Sequence, residues 1–151
     1  MTSVKKFIVF ALVLACTNIV LLNRFARAEG GDKGVACLID VVVESKNSAG
    51  TVVSREVYSK AFTIDEGGTF TDDFSTRTRF KFFTANMTKV EGEKTVAINW
   101  FADVTVFNSV DLDTAVSLED GQKTGKATGR HTLYVSGGST TTTYTLSCSE
   151  K

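Results

Sequence analysis

Thr95 to Asn108, reading Thr-Val-Ala-Ile-Asn-Trp-Phe-Ala-Asp-Val-Thr-Val-Phe-Asn, is the longest clean period-two run in the chain, and it narrows the choice of fold sharply. Successive side chains of a strand point to opposite faces, so Val96, Ile98, Trp100, Ala102, Val104 and Val106 share one side and Asn99, Asp103 and Thr105 the other. A strand with so continuous an apolar face is not stable alone. It belongs in the interior of a sheet, covered by a second layer.

The rest of the chain repeats the pattern in shorter pieces. Val35 to Ser45 is apolar on its odd positions and ends in the turn-forming Lys46 to Gly50. Thr51 to Ile64 is less regular, Asp65-Glu66-Gly67-Gly68 is a turn, and Thr69 to Phe74 is a weak strand. Arg77 to Thr84 alternates strongly, with Phe80 and Phe82 on one face and Arg77, Arg79 and Lys81 on the other. After the turn Val90 to Lys94 and the central run come Leu112 to Leu118, Gly129 to Ser136 and Thr140 to Ser149, with Gly137-Gly138 signalling a two-residue hairpin between the last two. Seven or eight short strands with regular turns and no helical period predict an all-β fold, an antiparallel β-sandwich.

This reading applies after a predicted leader. Lys5 and Lys6 precede an apolar run from Phe7 to Leu22, and Ala26-Arg27-Ala28 places small residues where a signal peptidase reads, so residues 1–28 are assigned to a signal peptide and 29–151 to a single domain. An alternative is carried by Val13-Leu14-Ala15-Cys16, which loosely fits a lipoprotein processing site and would anchor the chain to a membrane through an acylated Cys16. The signal-peptide reading places the protein in a secreted or periplasmic setting, and the alternative is a protein lipid-anchored at Cys16. Removing the leader takes away Lys5, Lys6, Arg24 and Arg27, leaving 13 basic residues of 17 against 17 acidic ones. A mildly acidic net charge gives no reason to expect nucleic-acid binding, which depends on neutralising phosphates with clustered Lys and Arg.

Two cysteines remain, Cys37 in the first strand and Cys148 in the last, each on the apolar face of its strand. In an oxidising compartment they are expected to form a disulfide that ties the ends of the domain.

Chemistry is harder to find. His131 is the only histidine and falls in phase with Leu133 and Val135, so it reads as a structural residue of an inward strand face; no nucleophile motif accompanies it. One His and two oxidised Cys cannot make a zinc or copper site, and no cofactor is expected. Glu66, Asp72 and Asp73 are a weak calcium candidate, short of the six oxygens the ion requires. Surface binding is the better-supported class. Phe101 and Phe107 fall on the face opposite Trp100, and Phe83 sits beside the basic Arg77, Arg79 and Lys81, so these six are the candidate surface-binding residues. The expected function is an exported, non-enzymatic domain acting by binding or assembly, with a protein, glycan or lipid partner at the cell surface. The alternative is a small secreted hydrolase using a carboxylate pair.

Overall fold

The computed structural model describes residues 34–104 and 109–151; the predicted leader, Cys16 and Phe107 lie outside them. The chain forms eight strands: β1 (Val35–Asn47), β2 (Val52–Ile64), β3 (Thr69–Asp73), β4 (Lys81–Val90), β5 (Glu93–Asp103), β6 (Ser109–Leu118), β7 (Thr124–Val135) and β8 (Gly138–Glu150). They make two antiparallel four-stranded sheets, ordered β2-β1-β8-β7 and β3-β4-β5-β6. The fold is all-β, and the inner faces of both sheets share one core in a sandwich-like arrangement. Among the described residues, no helix is long and apolar enough to cross a membrane.

Every strand lies beside its neighbours in sequence, and β8 returns to pair with β1. The order is therefore that of an up-and-down barrel, opened at two seams where no ladder forms, between β2 and β3 and between β6 and β7. One end of the domain gathers Val35, Ile64, Thr124 and Glu150. The opposite, far end gathers the β1–β2 and β7–β8 turns together with Asp73, Lys81, Ala102 and Val110 of the second sheet.

The alternation read from the sequence places the core. On β1 the odd residues Val35 to Val43 are buried, and on β5 Val96, Ile98, Trp100 and Ala102 are buried as expected of an interior strand. Cys37 and Cys148 are direct partners in the β1–β8 ladder and form the expected disulfide, with Cα atoms 4.1 Å apart. That bond points to a non-reducing compartment. The β4–β5 hairpin turns on Glu91 and Gly92, both at positive φ, the backbone a two-residue hairpin requires. The β7–β8 hairpin differs by one residue from expectation: Ser136-Gly137 is the turn, and Gly138 already pairs with Val135.

A larger difference lies at β4. The strand begins at Lys81, not Arg77, because residues 74–80 form a connection closed by a Thr76–Arg79 bridge. In the resulting register Lys81, Phe83, Ala85 and Met87 face the core, while Phe82 faces outward.

Side chains replace main-chain pairing at the β2–β3 seam. Tyr58 Oη donates to Asp72 Oδ2 at 2.9 Å, Lys60 Nζ lies 3.1 Å from the same carboxylate, and Lys81 of β4 pairs with Glu56. Burial, with the Asp72 hydrogen bond and charge adding to it, pushes the Tyr58 hydroxyl well above its ordinary range. Because the folded-state pKa exceeds the unfolded value near 10, this tyrosine favours folding fully below about pH 10, and the contribution falls as pH rises beyond it. Wild-type protein should therefore lose stability above about pH 10 with an added slope of up to about 1.4 kcal/mol per pH unit. Tyr58→Phe should remove that slope and cost about 1 kcal/mol at pH 7 for the lost hydrogen bond. Urea melts of both proteins from pH 7 to 11 test this, and parallel curves would refute it.

Candidate functional site

The predicted surface residues separate once they are placed. Phe83 has no exposed surface and packs against Phe62 and Tyr58 of the facing sheet, so it belongs to the core and not to a binding face. Lys81 is buried beside Glu56; burial pulls its ammonium below the usual range, with the charge of Asp103 opposing. Arg79 donates to the carbonyl of Val104, and Arg77 is exposed in the connection before β4. The basic strand face is thus dispersed among a core position, a loop tie and an exposed loop side chain. The calcium candidates also diverge. Asp72 points inward to Tyr58 and Lys60, and Asp73, next along the strand, accepts instead from the Ser75 amide at 3.0 Å. Glu66 lies beyond the other end of β3, and among the described residues no three acidic, His or Cys groups converge to hold a metal.

What the structure does assemble is an aromatic cluster on the outer face of the second sheet. Phe82 and Phe101 are cross-strand partners with ring centroids 5.4 Å apart and planes within 16°, and Phe80 lies 5.4 Å from Phe82 and 6.0 Å from Phe101. Phe80 is 56% exposed. Its backbone is fixed by Asp103, whose carboxylate accepts from the Phe80 amide at 2.8 Å and whose amide donates to the Phe80 carbonyl at 2.9 Å. Of the residues marked in the sequence, Phe101 alone is shown in this cluster. Phe80 and Phe82 had signalled themselves by sharing a strand face, but the basic residues beside them drew attention to the wrong one.

The register surrounds the cluster with short polar groups. Asp73, Phe82, Phe101 and Asp111 stand in one row across the four strands, and Thr71, Thr84, Asn99 and Asp113 in the next. Asn99 Nδ2 donates to Asp111 at 2.7 Å and to Asp113 at 2.9 Å, holding both carboxylates at the margin of the apolar centre. Asn86, which begins an N-glycosylation acceptor pattern with Met87 and Thr88, is exposed two residues along from Thr84 on the same face.

A second feature adjoins this face at Asp111. The β6–β7 seam is tight toward the end that gathers Val35 and Glu150, where a Cβ on Gly125 would lie 2.7 Å from the Ser117 carbonyl oxygen. Farther up, the Tyr144 ring lies across Gly129, which has no side chain to obstruct it, and its hydroxyl is 3.1 Å from that of Thr114. Beyond that ring the seam opens into a cleft of about 370 Å³, and a smaller hollow of about 200 Å³ shares Val110, Asp111, His131 and Thr142 with it. His131 lies opposite the buried Thr142, as its phase predicts, yet it is exposed because, among the described residues, no strand pairs with this edge of β7.

Compared with known proteins, the chain matches no family model and no curated protein.

Proposed function

We propose that this is an exported, non-enzymatic domain that binds a protein through the outer face of β4, β5 and β6. The observation that carries the reading is the Phe80–Phe82–Phe101 cluster, an apolar centre standing on the solvent side of a sheet whose other face already supplies the core. An aromatic centre with a hydrogen-bonding rim is the anatomy of a protein–protein contact. The rim selects among partners: Asp73, Asp103, Asp111 and Asp113 favour a surface with a basic margin and oppose anionic lipid headgroups or polyanionic glycans. Export agrees with the disulfide and with the leader read in residues 1–28.

The hydrolase alternative has less support. Its nearest carboxylate pair, Asp111 and Asp113, is exposed and shares one amide donor, without the apolar enclosure that keeps a general acid protonated.

Phe82→Ser and Phe101→Ser should each weaken partner binding by about 30-fold, the effect of losing a central contact worth about 2 kcal/mol. Melting temperature should hold, since both rings lie outside the core. Capture from surface extracts on immobilised wild-type and variant protein, followed by titration of the retained species, measures this. A retained species that is a glycan or lipid, or that binds the variants equally well, refutes the proposal.

A further inference from the structure

We infer that the open part of the β6–β7 seam accepts an extended peptide segment, which pairs its backbone with both strand edges and completes the barrel. The inference rests on the reading of the domain as a protein binder and names how part of that partner docks.

The two seams of the barrel are finished differently. Tyr58, Lys60, Asp72, Glu56 and Lys81 bridge the β2–β3 side with hydrogen bonds and ion pairs. On the β6–β7 side, Gly125 and Tyr144 close the half toward Val35 and Glu150, and the half from Ser109 to Asp113 and from Gly129 to Leu133 stays open. Among the described residues β6 pairs only with β5 and β7 only with β8, so the walls of the cleft are two strand edges carrying main-chain donors and acceptors outside any ladder. A strand is the ligand whose chemistry satisfies two such edges together.

The side chains specify that strand further. By register, Leu112 of β6, His131 and Leu133 of β7, and Thr142 and Tyr144 of β8 belong to the inward face; Leu133 is a large apolar residue left 45% exposed there. Inward residues of the incoming segment are therefore apolar. Its outward residues would stand between Asp111 and Asp113 on one bank and Arg130 on the other, which favours one basic and one acidic side chain two residues apart. Asp111 is at once a bank of this cleft and the end of the row containing Phe82 and Phe101, so a partner seated on the aromatic cluster reaches the seam directly.

Panning a phage-displayed library of random linear peptides against the folded, disulfide-bonded domain tests this. The enriched peptide should alternate apolar and charged residues and should protect amides of residues 109–113 and 129–133 from hydrogen exchange. Backbone N-methylation at alternate residues should weaken it at least tenfold, because that removes strand pairing and leaves the side chains. Phe82→Ser should leave its affinity within twofold. Enrichment of no peptide, protection confined to β4 and β5, or tolerance of N-methylation would overturn the seam inference and leave the outer-face reading standing. Partner binding that survives Phe82→Ser while the peptide still protects the seam would instead overturn the outer-face reading and support the seam.

Discussion

Replacing Cys37 and Cys148 together by alanine should lower the free energy of unfolding by about 4 kcal/mol, and reducing the wild-type protein should have the same effect. The two residues are 111 positions apart, and closing a loop of that length removes enough entropy from the unfolded chain to account for a difference of this size in the chain-entropy treatment. The bond also sits where the topology most needs it. Five of the six ladders join strands consecutive in sequence, but β8 must return to β1 across the whole domain, and the disulfide holds that one long-range pairing in the unfolded state. For a domain of about 120 residues, whose net stability is 5–15 kcal/mol, about 4 kcal/mol lowers Tm by roughly 15 °C. Thermal melts of the double variant, and of wild type with and without reductant, read the effect directly. A shift smaller than about 1 kcal/mol would show that β1 and β8 hold one another without help and would weaken the argument for a non-reducing compartment. Agreement between reduction and substitution matters as well, since only the disulfide is common to both.

Local features were legible in the sequence and pairing across the molecule was not. Val35 to Ser45 and Val96 to Val104 announced their buried faces because each side of the strand meets a different medium. The cysteines could be paired because their phase and their number left one choice. Arg77 to Thr84 misled because Lys81 is a charged residue on an inward face, and its partner Glu56 belongs to the other sheet, 25 positions earlier. Taking Lys81 as solvated placed Phe83 beside a basic surface, whereas the true register buries Phe83 and turns Phe82 outward beside Phe101. His131 illustrates the other limit. Its inward phase follows from neighbouring residues alone, but its exposure follows from β6 and β7 failing to pair, which no local pattern encodes.

Trp100 separates cavity from polarity in the same core. It stands between Phe83 and Leu112 in its sheet, with the Tyr58 ring 6.3 Å away from the facing sheet, and is almost wholly buried. Trp100→Ala should cost about 4 kcal/mol, the sum of lost transfer energy and the void left among rings that cannot collapse into it. Trp100→Phe should behave quite differently. The indole Nε1 is buried and, among the described residues, has no hydrogen-bond partner, a condition that costs the native state about 1–3 kcal/mol. Phenylalanine gives up part of the ring's packing but also removes that unsatisfied donor, so the two effects offset and the net change should stay within about 1 kcal/mol. Urea unfolding of the three proteins measures both differences. If Trp100→Phe costs nearly as much as Trp100→Ala, the indole nitrogen is hydrogen-bonded in solution, and the core is tuned to the shape of the tryptophan rather than to the apolar volume it supplies.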